Sequence, residues 1–182
     1  MGTQKEPLDV RTLTRIEAIA ESDKFGRESD TYKMFVILRY TGAHESVIVN
    51  PKCGMHEEQD NDDETVIVWL RPKKKGPWAR TWMPKSQKIK FNVTDYLASI
   101  QKRTRKNTRQ YVYRKIQELG LEAGITRLAP MSLRHSLAVQ LINEGWPEVL
   151  IAQVLNVTPR MLKFYARFTT IGIKEKFKKM GW

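Results

Sequence analysis

One cysteine, Cys53, is all that the 182 residues contain. That scarcity excludes a disulfide framework and a cysteine-built zinc site, and it fits an intracellular protein. The chain has no long apolar run, signal peptide or lipidation motif, so neither a membrane span nor export is expected. Internal repeats, low-complexity segments and an obvious interdomain linker are missing too, which leaves a single domain over residues 1–182. The last shortage is acid. Twenty Asp and Glu stand against 32 Lys and Arg, giving a net charge of +12 and a pI near 9.9. Such an excess attracts a polyanion, and nucleic acid ranks ahead of an anionic membrane.

What is present reads as helices around a small sheet. Leu8 to Ala20 carries Leu13, Ile16, Ile19 and Ala20 at helical spacing, behind a frayed leader from Met1 to Pro7. Thr31 to Tyr40 is apolar enough for a buried helix stopped by Thr41-Gly42, although periodicity alone leaves a strand open. A short apolar run, Val47 to Val49, ends at Pro51. The acidic stretch from His56 to Glu64 reads as a solvated loop or turn. Thr65 to Leu70 is β-branched and aromatic, the strongest strand signal in the chain. The segment with Lys73, Lys74, Lys75 and Gly76 then reads as a hairpin turn, with Arg80 to Pro84 returning, so the hairpin spans about 65–84. Helices are expected from Asp95 to Lys102 and from Thr108 to Leu119, with Gly120 and Gly124 closing the second.

The stretch from Pro130 to Arg167 is the most heavily punctuated. Leu133, Leu137, Leu141 and Ile142 make one helix, stopped by Gly145. Pro147 suits the first turn of the next, whose apolar face is Leu150, Ile151, Val154 and Leu155. Thr158 and Pro159 suit the start of a third, which runs through Leu162 and Tyr165. By itself this is a helix-turn-helix pattern with Arg160, Lys163 and Arg167 on its second helix, and Tyr165 is then a core or phosphate-contacting residue.

The wider chain resembles the catalytic domain of tyrosine recombinases, the phage-integrase family, over about its whole length. MSLRHSLAVQLINEG, from Met131 to Gly145, resembles the box in which His-x-x-Arg is followed by His. EVLIAQVLNV resembles the helix that usually ends in Leu-Gly-His, and Tyr165 follows Arg134 at about the family's distance. MFVILRYTGAHESVIVN resembles a buried helix followed by Thr-Gly-x-Arg and a second apolar helix. The resemblance implies a mainly α fold with a small antiparallel sheet, and DNA cleavage and rejoining through a 3′-phosphotyrosyl bond without metal or other cofactor. Tyr165 becomes the nucleophile, Arg134 a phosphate clamp and Lys75 the general acid, with Lys73 and Lys74 as alternatives. His135 matches the family's supporting histidine. Three positions depart from the pattern: His44 replaces the first clamp arginine, Met131 the first histidine, and Leu155-Asn156-Val157 the Leu-Gly-His.

DNA contact is expected from Lys73, Lys74, Lys102, Arg103, Arg105, Lys106, Arg109, Arg160 and Lys163, with Arg114, Lys115, Tyr111 and Tyr113 on the same basic segment. Double-stranded DNA is the expected partner. The amphipathic tail at about 171–182 is expected to link protomers on DNA, as in the family, or to pack on its own domain. The family's separate N-terminal DNA-clamping domain has no counterpart here, which implies a fragment or a protein without that clamp. A helix-turn-helix regulator and a catalytically silent DNA-binding accessory protein are the alternatives.

Overall fold

One helix, Asp30–Thr41 (α2), runs through the middle of the protein. Tyr32, Met34, Phe35, Val36, Ile37 and Leu38 are all fully buried, so no polar stripe faces solvent. Ser29 accepts the Tyr32 N–H at its start, and Gly42 ends it in the left-handed region at φ 59°. The apolar run is therefore helix, not strand. The computed structural model describes residues 7–58, 65–71, 79–84, 91–103, 108–166 and 168–169, and these contain eight helices and three strands. Ahead of α2 lies α1 (Val10–Glu21), which buries Leu13, Ile16 and Ala20. Beyond it come α3 (Glu45–Val49), β1 (Gly54–Glu58), β2 (Thr65–Arg71) and β3 (Ala79–Pro84). The chain continues through α4 (Val93–Lys102), α5 (Arg109–Glu122), α6 (Pro130–Asn143), α7 (Glu148–Leu155) and α8 (Pro159–Ala166).

The sheet is antiparallel in the order β1-β2-β3. Val68 lies opposite Thr81, and with Met83 they form the buried face that packs toward α2. Alternation puts Trp69, Arg80 and Trp82 on the other face, with Trp69 opposite Arg80. Strand β1 corrects the reading of His56 to Glu64 as loop. His56 and Glu58 pair with Trp69 and Ile67, so the ladder supplies hydrogen bonds that a polar segment with no strand pattern gave no sign of. Residues 59–64, and the hairpin turn at 72–78, lie outside the described residues.

Three smaller corrections concern helix ends. Gly120 does not close α5 but sits within it, because a Cβ there would overlap Leu128 and stand 2.8 Å from the Ile125 carbonyl oxygen. The stop belongs to Gly124, at φ 72°. Pro147 is the cap residue before α7 instead of lying in its first turn, and Leu150, expected on the apolar face, is exposed. The Gly145 stop is as expected: at φ 79° it follows α6, with the Trp146 N–H returning to the Leu141 carbonyl at 3.1 Å.

The buried side chains fall into two clusters. The larger joins α1 to α5, the sheet and the start of α6, ending at Leu133. The smaller holds Ala138, Leu141, Ile151, Ala152, Val154, Leu155, Leu162 and Tyr165 from α6, α7 and α8. Arg134 lies between them in sequence. Among the described residues no helix is long and apolar enough to cross a membrane.

Candidate active site

Pro130 opens α6 in the first-turn position that proline favours, and Arg134 follows one turn later. Its guanidinium is held by carbonyls. One nitrogen donates to the Gly42 oxygen at the end of α2, and another donates to the Leu155 oxygen at the end of α7, at 2.6 Å. Carbonyls at helix C-termini lack intrahelical partners and carry the negative end of the helix dipole, so two of them suit a cation. A guanidinium has five N–H donors, and those not spent on carbonyls remain for an oxyanion. Gly42 allows this approach. A Cβ there would stand 2.8 Å from Leu155 Cδ2 and 3.0 Å from Leu137 Cδ2, and φ is positive as well.

Just beyond Gly42, His44 caps α3. Its Nδ1 accepts the Ser46 N–H at 3.4 Å and lies 3.1 Å from Ser46 Oγ, an arrangement that suits a neutral ring with its proton on Nε2. Burial pushes the His44 pKa below the ordinary histidine value; Glu45 opposes that shift, and the positive charges of Arg109 and Arg134 add to it. Glu45 uses only one carboxylate oxygen in hydrogen bonding. Oε1 accepts from Arg109 Nε at 2.9 Å and from an Arg109 terminal nitrogen at 2.5 Å. Oε2 is buried without a hydrogen bond, 3.3 Å from His44 Nδ1. Two acceptors thus face each other until His44 takes up a proton.

Tyr165 comes from α8 and is only 5% exposed. The His135 ring meets it edge-on, with centroids 5.4 Å apart and planes at 70°. Among the described residues nothing hydrogen-bonds its hydroxyl. A cavity of about 410 Å³ brings the pieces together, lined by His44, Met131, Arg134, Val157, Met161 and Tyr165 among others. His44, Arg134 and Tyr165, singled out in the sequence, therefore share one space, and His135 touches the tyrosine from the side. Both apolar departures, Met131 and Val157, line the same space.

Asn156 explains half of one departure. At φ 49° it takes the left-handed position after α7 that glycine usually fills, and the Val157 N–H returns to the Ala152 carbonyl at 2.9 Å. The turn that aims residue 157 at the cavity is intact. What it aims is a side chain with no donor.

The expected DNA contacts are more entangled than the sequence suggested. Lys102 is exposed at the end of α4. Arg103 donates to Asp30 at 3.3 and 3.4 Å and to Ser99 at 2.9 Å. Arg109 pairs with Glu45 and Lys115 with Glu118 at 2.6 Å, while Tyr111 donates to Asp30 at 2.7 Å and Arg114 lies 5.9 Å from the Tyr111 ring. The basic segment thus has acids after all, brought from α2 and α3 by folding. Arg160 and Lys163 are exposed on α8. Lys73, Lys74, Lys75, Arg105, Lys106 and the tail at 171–182 lie outside the described residues.

Helices around a small antiparallel sheet, with an arginine and a tyrosine facing one cavity, define a tyrosine-recombinase catalytic domain. Residues 55–169 match the family model described as the phage integrase family, more than half of the chain, and the chain belongs to that family. The first three helices, with His44, precede the matched segment. Among solved structures, the XerA recombinase is similar at 21% identity and a TM-score of 0.69, over 98% of this chain and 64% of that one. The XerH site-specific recombinase bound to palindromic difH substrate, in a post-cleavage complex, is similar at 17% identity and a TM-score of 0.72, over 97% and 54%. A lambda integrase dimer bound to a core site gives 13% and 0.53, over 91% and 60%. These likenesses show a shared fold. The chain spans between about half and two thirds of the length of these relatives. No curated protein sequence matches it.

Proposed function

We propose that the chain binds double-stranded DNA and cuts and rejoins one strand through Tyr165. The observation that carries this reading is the single cavity shared by Tyr165, Arg134 and His44. The Tyr165 hydroxyl gives up its proton to water as its oxygen attacks the phosphorus, a 3′-phosphotyrosyl bond forms as the bond to the 5′ oxygen breaks, and the departing 5′ oxygen takes a proton from the general acid. Reversal by a 5′ hydroxyl rejoins a strand with no added energy source. Arg134, already fixed by two carbonyls, meets the non-bridging oxygens without reorganising. Neutral His44 offers Nε2–H to the same phosphate. Lys75 is the proposed proton donor, with Lys73 and Lys74 beside it in sequence, and His135 sets the attitude of the Tyr165 ring. The solved relatives include recombinases bound to difH and core-site DNA, and the net charge of +12 suits the same partner. Lys102, Arg109, Arg160 and Lys163 would steer the duplex. Self-association through the segment 171–182 belongs to the same reading, and exposed Trp146, Val149 and Leu150 offer an apolar face for a neighbour.

The test is a pool of nicked suicide duplexes of randomised sequence, incubated with the protein and denatured. A denaturant-resistant protein–DNA adduct, lost in Tyr165→Phe, is the expected result. No adduct at high protein concentration overturns the enzyme reading. A second reading, a DNA-binding accessory protein without strand cleavage, is favoured by Met131 and Val157 facing the cavity. Losing one transition-state donor costs about 10²–10³ in rate. On that reading tight, salt-sensitive DNA binding survives with no adduct at all.

A further inference from the structure

The Val157 side of the cavity adjoins a second cleft. It measures about 590 Å³ and lies between the outer face of the sheet and α7, lined by Trp69 and Arg80 on one side and Val149, Ala152, Gln153, Asn156, Val157 and Pro159 on the other. Asn156 and Val157 line both spaces, so they are the wall between them. Within this cleft one group is out of balance. The Arg80 Nε is buried and has no hydrogen-bond partner. Its guanidinium lies against the Trp82 ring, 5.1 Å from the centroid, and among the described residues it meets no carboxylate. The Glu58 carboxylate, on the far edge strand β1, is taken by the Trp69 indole N–H. With Nε closed to the cleft and no acid at hand, the terminal nitrogens of this half-buried guanidinium are what an anion in the cleft meets. Arg103 and Arg109 have their acids; Arg80 has an aromatic ring and an open cleft.

We propose that Arg80 binds a backbone phosphate of the DNA strand engaged by the Tyr165 cavity, on the side where Val157 offers no donor. Stacking on Trp82 holds the guanidinium plane, as planar arginine forks are commonly held, and leaves its edge for two phosphate oxygens. The strand pattern is what puts Arg80 and Trp82 on the outer face, two residues apart. This inference rests on the reading that DNA occupies the site, and it does not require that Tyr165 cut it.

The experiment therefore runs in the Tyr165→Phe background, where binding is non-covalent. Affinity for a short random-sequence duplex is measured by fluorescence anisotropy across a salt series. Arg80→Ala and Arg80→Gln should each weaken binding about tenfold and reduce the slope of log K against log salt by about 0.9, one phosphate's worth. Arg80→Lys should restore the slope, since it restores the charge. An arginine that only braces the sheet would lower the melting temperature and leave the slope alone, and that result overturns the proposal. A second arm needs no variant at Arg80. Phenylglyoxal modification, mapped by peptide mass spectrometry, should be blocked at Arg80 by the duplex; equal modification with and without DNA sinks the idea. A slope loss in the Arg80 variants together with no Tyr165-dependent adduct would leave Arg80 standing and remove the strand-cutting reading. An adduct with an unchanged slope would do the reverse.

Discussion

The two buried clusters differ in size and in what they carry. The larger is built on α2, where six side chains from Tyr32 to Leu38 are wholly enclosed. The smaller, from α6, α7 and α8, has Tyr165 inside it, and Val149, Leu150, Met161 and Phe164 remain exposed around it. Tyr165, the proposed nucleophile, therefore lies in the part with less burial behind it, and segments of that kind open locally at lower free energy. Arg134 stands at the seam and takes one carbonyl from each side, Gly42 from the larger and Leu155 from the smaller. One cluster fixes the fold, the seam fixes Arg134, and the thin cluster presents Tyr165.

Amide hydrogen exchange is the widest test of that division. Phe35→Ala should lower global stability by about 3–5 kcal/mol and weaken protection in every helix. Leu162→Ala should cost about 2–5 kcal/mol but accelerate exchange chiefly in the second half of α6, in α7 and in α8. Equal acceleration in α2 would show one cooperative unit and erase the comparison. Next in size is the seam. Arg134→Lys keeps the charge but replaces the fork that spans two helix ends, and adduct formation should fall about 10²–10³-fold in single-turnover assays. An unchanged rate would mean that the seam is structural only.

The same contrast governs what could be read in advance. Helix α2 was legible as an apolar run with a Thr41-Gly42 stop, and the three helices after Pro130 by their glycines and prolines. Strand β1 was not, because His56 to Glu58 have no alternation and owe their conformation to a ladder made elsewhere in the chain. Tyr165, Arg134 and His44 were singled out through the family resemblance, and all three line one cavity. The acids that engage Arg103 and Arg109 were invisible, since Asp30 and Glu45 lie 73 and 64 positions away in sequence. Arg80 was passed over as the start of a returning strand. Its signal was there in the Arg-x-Trp alternation, which puts cation and ring on one face, but only the fold sets α7 opposite them.

Gly42 gives a narrower test of the seam. Alanine at φ 59° carries left-handed strain of about 1–3 kcal/mol, and its Cβ would crowd Leu155 and Leu137 from the other cluster. Gly42→Ala should therefore lower the denaturant midpoint by a corresponding amount and slow adduct formation with it, because the carbonyl that fixes Arg134 belongs to the displaced residue. Loss of stability with no loss of rate would detach the clamp from the α2 terminus.

The smallest effect expected comes from His44, and it is distinctive in sign. Its pKa in the folded chain lies below the ordinary value of 6.5, chiefly through burial, with Arg109 and Arg134 adding to the shift and Glu45 opposing it. The unfolded chain therefore binds more protons in the window between the two values. The stability owed to neutral His44 is complete above about pH 6.5 and is lost as pH falls through the lowered pKa. A phosphate at Nε2 reverses that bias, because an anion favours the imidazolium, and Glu45 Oε2 stands ready for the Nδ1 proton. DNA affinity should then rise as the medium is acidified from about pH 7.5, by at most tenfold per pH unit for a single proton. Asparagine caps helices as well as any residue, so His44→Asn keeps the start of α3 while removing the titration. Its affinity should be flat over the same range. A histidine that is only a cap would still lose stability in acid but would leave the wild-type DNA affinity indistinguishable from that of His44→Asn at every pH.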